Sequence, residues 1–413
     1  MSDKYVIKEM LESSLNGENA LVISGYVCVQ PNFSFGSVTK KEYVTIIPLD
    51  ENVTTVKKGM LEGFPNVYSV IVPENIMEIG EGAFEDFAML EKIHLPITVR
   101  KISKNAFKNC TALKEIQLSF VEQIEENAFD GCKNLKEVKV SESLFWIGAY
   151  AFRNCKSLKE FRVPFMVKKL PKGVFEDCQS LSKVTLHHFL EEIGEGSFKG
   201  CTSIESITLP ENLKRIEKEA FEDASSLKEI VIPEGVTRIK ACTFFACSKL
   251  SEVTFLGKVS HIFRSAFEMC TSLEKIELPD TVAVIEERAF DSCVFLTEIV
   301  IPSKVTKIHK STFETCVSLR KVKIPDTVTK ISESAFSSCK SLNEITLPSN
   351  LAVIQKNAFI FCTHLNQLEL PGSIRCIALD AFEGCNLIVV KNNSEKLNKK
   401  MLEQLFGKDV IIE

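Results

Sequence analysis

The chain has 413 residues, 45% of them apolar, with 50 Lys and Arg against 55 Asp and Glu for a net charge of −5. That is ample for a continuous core, and it leaves no excess of positive charge to attract nucleic acid or an anionic membrane. No apolar run reaches the roughly 18 residues of a spanning helix, so neither a nucleic-acid partner nor membrane insertion is expected.

At the start, MSDKYVIKEMLESSLNG lacks a basic stretch followed by an apolar one and does not read as a secretory signal. The chain as it stands is therefore expected to be cytoplasmic, with a cell-surface or secreted location as the alternative. Residues 1–42 read as an N-terminal cap, with a helix over Asp3–Leu15 and a strand over Ala20–Val29, where apolar and polar residues alternate.

From residue 43 to residue 390 one pattern recurs. Its marker is a Phe, at positions 84, 107, 129, 152, 175, 198, 221, 244, 267, 290, 313, 336, 359 and 382. The step is 23 residues, except for 22 between Phe107 and Phe129. Leu61, 23 residues before Phe84, marks a degenerate first unit and brings the number to 15. A fixed period of this length is the mark of a solenoid, in which no unit buries its apolar side alone and each covers the next.

Each unit reads Phe-x-x-Cys-x-x-Leu-x-x-Ile-x-Leu-Pro-x-x-Val-x-x-Ile. The Ile-x-Leu end alternates as a half-buried strand does. Pro, as at Pro96, Pro210 and Pro325, closes the strand and opens a turn because it has no N–H to give. Val-x-x-Ile supplies a second short extended piece. Ala-Phe-x-x-Cys, apolar every third residue, fits one or two turns of α- or 3₁₀-helix. These units resemble the BspA-like leucine-rich-repeat family, with its Leu-x-x-Ile-x-Leu-Pro strand and Ala-Phe-x-x-Cys turn. The resemblance implies an α/β solenoid, a leucine-rich-repeat horseshoe with a parallel sheet. It also implies a non-catalytic, protein-binding role of the kind used in surface adhesion and host contact.

Residues 391–413 read as a C-terminal helical cap. Leu397, Met401, Leu402 and Leu405 fall on one helical face, with Ser394 as N-cap and Gly407 as the stop.

Twelve units carry Cys three residues after the Phe, while Phe87 and Ala224 fill the other two slots, so the slot is apolar and its thiols buried and inert. Stacked units lie about 4.8 Å apart, but parallel Cβ directions disfavour disulfides between them. A column of free thiols suits a reducing compartment. Cys28, Cys242 and Cys376 stand outside the column, and the six histidines are scattered. Without a paired base, a metal-ligand spacing or a phosphate-binding glycine loop, no catalytic residue, metal or cofactor is expected. A cysteine-dependent enzyme is the remote alternative.

The candidate partner site lies where the pattern breaks. Four consecutive units carry Phe120, then Phe145 and Trp146, then Phe165 and Met166, then His188 and Phe189, in or just after a turn that is polar in most others. Trp146 is the only Trp. Exposed aromatic clusters of this kind anchor partners. On the sheet face, a mostly charged column beside short side chains at Thr185, Thr208, Val231 and Thr254 forms a shallow centre. The reading is a solenoid that binds a protein partner. Its alternatives are an intracellular scaffold of the same fold and a spacer with nothing bound.

Overall fold

The computed structural model describes residues 19–23, 26–30, 42–48, 52–61 and 67–413. The fold is a parallel β-solenoid of about 15 coils of 23 residues. It divides into two compact units, Met1–His187 and His188–Glu413.

Every coil is built alike. In the strand Lys92–His94 the Ile93 side chain is buried while Lys92 and His94 are exposed, as alternation dictates. After the strand, Pro96 starts a turn whose carbonyl accepts the Val99 N–H at 3.3 Å. A two-residue strand, Lys101–Ile102, follows and buries Ile102. The chain then rounds the Phe corner.

That corner is not helical. The second residue after each Phe is left-handed, and so is the second before it except at Phe382, as at Asn105 (φ 55°) and Asn109 (φ 60°) around Phe107. A right-handed helix cannot run through two such positions. The freed N–H groups turn to the next coil instead: Asn105 to Glu126 O (3.1 Å), Phe107 to Ala128 O (2.8 Å) and Asn109 to Asp130 O (2.7 Å). These bonds form a third ladder beside the two strand ladders, so the backbone is satisfied on the Phe side without helix.

The Phe rings stack face to face inside each unit. In the first unit the centroids of Phe84, Phe107, Phe129 and Phe152 are 5.1, 5.2 and 5.4 Å apart, and the step to Phe175 widens to 5.9 Å. Phe161 causes the widening. It stands where other coils have Ile, Val or Leu, and its ring lies 5.2 Å from Phe152 and 4.9 Å from Phe175. In the second unit the stack runs from Phe198 to Phe382, and Phe406 of the C-terminal helix abuts its end at 5.4 Å.

In the first unit the short strands Thr55–Val56, Glu78–Ile79, Lys101–Ile102, Gln123–Ile124 and Trp146–Ile147 make one parallel sheet. The longer strands pair as Val67–Ile71 with Lys92–His94, Glu115–Leu118 with Glu137–Val140, and Glu160–Arg162 with Lys183–Thr185. Between Glu137–Val140 and Glu160–Arg162 no ladder forms. The expected single strand over Ala20–Val29 is instead an antiparallel hairpin, Asn19–Ile23 with Tyr26–Gln30, continued by Glu42–Pro48. The helix expected over Asp3–Leu15 lies outside the described residues.

In the second unit Glu229–Ile232 pairs with Glu252–Phe255, and Glu298–Val300, Lys321–Lys323 and Glu344–Thr346 form a three-stranded sheet. Gln367–Leu370, Val389–Asn392 and Ile411–Ile412 make another. The C-terminal helix spans Lys399–Phe406 and stops at Gly407 as expected. Its N-cap is Asn398, whose Oδ1 accepts the Met401 N–H at 3.0 Å, rather than Ser394. Ser394 is buried and donates its hydroxyl to Ile374 O (3.0 Å), while accepting the Lys396 N–H (3.2 Å). Starting later rotates the apolar face: Leu402 is buried and Phe406 packs, while Met401 is exposed.

Candidate binding surface

The turn after each strand has its own hydrogen-bond column. The residue just before the Val position donates back to the preceding coil: Asn75 Nδ2 to Val53 O, Thr98 Oγ1 to Ile76 O, Thr281 to Val259 O, Thr327 to Val305 O and Ser373 to Leu351 O, at 2.6 to 2.9 Å. Phe120, Met166 and Phe189 occupy this position and have no donor to offer. Neighbours take over the carbonyls. Arg100 Nη1 donates to Ile97 O and, at 3.4 Å, to Val99 O, with its guanidinium 5.9 Å over the Phe120 ring. His187, buried, bonds through Nε2 to Val167 O at 3.0 Å and packs 5.5 Å from Phe165.

In the first unit all five apolar residues of the expected strip are exposed: Phe120, Phe145, Trp146 (57%), Phe165 and Met166 (59%). They do not form one stack. Trp146 stands on the sheet of short strands, in register with Gln123, whereas Phe120, Phe165 and Met166 lie on the turns. Among the described residues no ring pair joins Phe120, Phe145 and Trp146. In the second unit His188 and Phe189 are exposed with ring centroids 3.8 Å apart.

The short-residue column is distributed. Thr185 is exposed on a strand of the first unit, while in the second unit Val231 and Thr254 are cross-strand partners and Thr208 is on no strand. Thr254 is half-buried.

A concavity of about 670 Å³ opens on the long-strand face of the first unit, where the ladder is interrupted. Phe161, Val163 and Pro164 form its buried floor, and Phe165 one wall. Glu137 and Lys139 from one strand, Glu160 and Arg162 from the next, and Lys183 line it. Sequence reasoning passed over this feature, although Phe161, the one Phe at the strand Ile position, was its signal.

The cysteine column is as buried as expected, and it does more than fill space. Within each unit the thiols donate to the carbonyl of the preceding coil's Phe, as from Cys110 Sγ to Phe84 O (3.0 Å) and from Cys339 Sγ to Phe313 O (3.1 Å). Burial pushes the thiols of Cys110, Cys132, Cys155 and Cys316 up. Cys385, less buried, is held below its ordinary value by the neighbouring Cys362. Among the described residues no group of three or more His, Cys, Asp or Glu is placed to hold a metal ion, and no helix is long and apolar enough to cross a membrane.

The repeat and its corner match the family model for the BspA type leucine rich repeat region over residues 32–159, 117–227, 168–295 and 284–407. The chain belongs to the BspA-type leucine-rich-repeat family. BspA-type repeats are non-catalytic scaffolds for protein interaction or surface adhesion, and that general role is the chain's. Among solved structures it resembles a leucine-rich repeat protein from Bacteroides ovatus, with 25% identity over 96% of this chain and 97% of that one, and a TM-score of 0.66. A leucine rich cell surface protein from Faecalibacterium prausnitzii shares 24% identity over 95% and 98%, with a TM-score of 0.49. The pneumococcal vaccine antigen PcpA shares 16% over 96% and 98%, with a TM-score of 0.41. No match was found among curated protein sequences. Membership in this family overturns the expected cytoplasmic location. The expectation of a reducing compartment falls with it, since buried, hydrogen-bonded thiols stay reduced without one.

Proposed function

We propose that this chain is a surface adhesion protein that holds a protein partner through the exposed apolar side chains of its first unit, in host or matrix contact. One observation carries this. At a turn position that carries a polar donor in five other coils, the first unit turns Phe120 and Met166 outward, and Arg100 serves the Val99 carbonyl that Phe120 leaves. A repeat gains no core from an outward Phe or Trp, so the gain lies in a partner. Thr185, Thr208, Val231 and Thr254, with His188 and Phe189, complete the proposed contact set.

The test is a quantitative pull-down from cell-surface and matrix extracts with the parent chain, Trp146→Ala/Phe165→Ala, and Lys114→Ala as control. Proteins held by the parent and by the control, but weakened in the double variant by about 2 kcal/mol or more, support the reading. The double variant should melt with the parent. Unchanged capture sinks the reading. A lower melting temperature with faster proteolysis of residues 1–42 would instead make these residues an internal docking face.

A further inference from the structure

Side chains on the short strands pair diagonally between coils. The residue after the strand Ile of one coil meets the residue before the strand Ile of the preceding coil. Ser103 donates to Glu78, Lys101 Nζ lies 3.0 Å from Glu125 Oε1, and His261 Nε2 is 2.8 Å from Glu286 Oε1. Each of these pairs sets a donor against a carboxylate. Lys101 also reaches Glu78 Oε1 at 3.3 Å, so in the first unit Glu78, Lys101, Ser103 and Glu125 form one neutralised group.

The second unit repeats that group without its carboxylates. Lys307, Lys330, Ser332 and Gln355 stand where Glu78, Lys101, Ser103 and Glu125 stand in the first. Lys307 and Lys330 face each other in register, and like charges on facing strand positions are destabilising. Both lysines are half-buried, and among the described residues neither makes an ion pair. Ser332 is buried, and its Oγ makes no hydrogen bond among the described residues. By the diagonal rule it points back to Lys307, which has only N–H donors to offer. The nearby carboxylates are engaged elsewhere. Glu333 Oε1 lies 3.3 Å from Lys310 and 3.2 Å from Lys356, while Glu286 accepts from His261 and, at 3.0 Å, from the Arg264 N–H. Burial, and then Lys307, hold the imidazole of His309, beside Ser332 on the preceding coil, below its ordinary value.

A buried hydroxyl without an acceptor is costly, and so is a facing pair of unneutralised lysines. Both are relieved by negatively charged oxygen where the first unit places the Glu78 carboxylate. We propose that Lys307, Lys330 and Ser332 bind a tetrahedral oxyanion, a phosphate or sulfate, either free or as a monoester on a larger partner. A phosphate carries a charge of about −1.5 to −2, which suits two lysines, and has oxygens for both Nζ groups and for the Ser332 hydroxyl. Half-buried Val353 faces Lys330 on its other side and keeps that flank of the site apolar, which strengthens the charge interaction. The site does not depend on the partner-binding reading.

The probes are inorganic phosphate, sulfate and phenyl phosphate, titrated by calorimetry into the full chain with ionic strength held constant by chloride. Phosphate and sulfate should bind saturably and raise Tm in step with occupancy. Lys307→Glu rebuilds the arrangement of the first unit. It should lose phosphate binding and, without phosphate, melt above the parent. Lys307→Gln and Lys330→Gln should each bind phosphate about tenfold more weakly, and they keep the comparison open if the charge reversal fails to fold. Ser332→Ala should melt with or above the parent without phosphate and bind it about tenfold more weakly. No saturable binding by the parent overturns the proposal. So does a rise in Tm that the lysine variants retain, since that is the general salting effect of these ions. Parent-like binding by Ser332→Ala also overturns it, as a hydroxyl served by water would give that result. Tighter binding of phenyl phosphate than of phosphate assigns the site to an ester on a partner, and equal or weaker binding assigns it to the free ion.

Discussion

Phe221 is fully buried, with its ring 5.3 Å from Phe198 and 5.6 Å from Phe244. Ala224 fills the neighbouring slot where most coils have Cys, so little volume is at hand to move inward. Phe221→Ala should cost about 3–5 kcal/mol by chemical denaturation, and a loss no larger than that of a surface variant would contradict the packing account. The glycines separate two other costs. Gly196 is left-handed (φ 58°), and an added Cβ would meet nothing closer than Lys199 side-chain carbons at 3.8 Å. Gly196→Ala therefore pays backbone strain alone, about 1 kcal/mol. Gly148 is not left-handed, but its added Cβ would lie 2.3 Å from the Glu126 backbone nitrogen. Gly148→Ala should cost clearly more than Gly196→Ala in the same assay, and the reverse order would refute the reading of the coil-to-coil contact.

At the scale of the element, the strands, the Pro turns and the Phe column were legible because burial imposes a period that apolar residues must follow. The corner was misread as helix although its signal was present. Gly, Asn or Asp stands at many of the left-handed positions: Gly82 and Asp86, Asn105 and Asn109, Asn127 and Gly131. Apolar spacing of three was given more weight than those turn residues. The flank also holds a charge cluster that no period shows. Arg288 Nη2 lies 3.1 Å from Glu268 Oε1 and 2.9 Å from Asp291 Oδ2, and Ser292 donates to Asp291 Oδ1 at 2.9 Å. Burial raises the Asp291 carboxyl above its ordinary value, with Ser292 and Arg288 pulling it partly back. A carboxyl raised on folding contributes stability that is full below its unfolded pKa, about 3.9, and is lost as pH rises through the folded value. NMR titration should place the Asp291 midpoint above that of an unfolded Asp, and Arg288→Met should move it higher still. A midpoint indifferent to Arg288 would remove that side chain from the account.

For the whole molecule the sequence carried the fold almost entirely and the site only in part. Phe120, Trp146, Phe165 and Met166 were legible as departures from a period. Their separation between turn and short-strand sheet was not, because it depends on which piece of the coil each departure falls in. The concavity escaped because Phe161 conforms to the apolar pattern and changes only its bulk. The expectation of a reducing compartment went wrong through the thiols. Counted in sequence they suggest a reducing compartment, whereas in the fold their state is set by burial and by a carbonyl acceptor within about 3 Å. That leads to a measurement on the intact chain. In a Cys28→Ser background, labelling with an aromatic disulfide under native conditions should modify exposed Cys376 first, then the half-buried Cys242 and Cys385, and leave the eleven buried thiols from Cys110 to Cys362 silent until denaturant is added. Cys385 should outpace Cys242, since the neighbouring Cys362 favours its thiolate while burial and nearby Glu222 and Glu219 oppose that of Cys242. Raising pH by two units should leave the column silent, because solvent access limits it. If column thiols react natively, or gain rate with pH, the bond to the Phe carbonyl does not protect them.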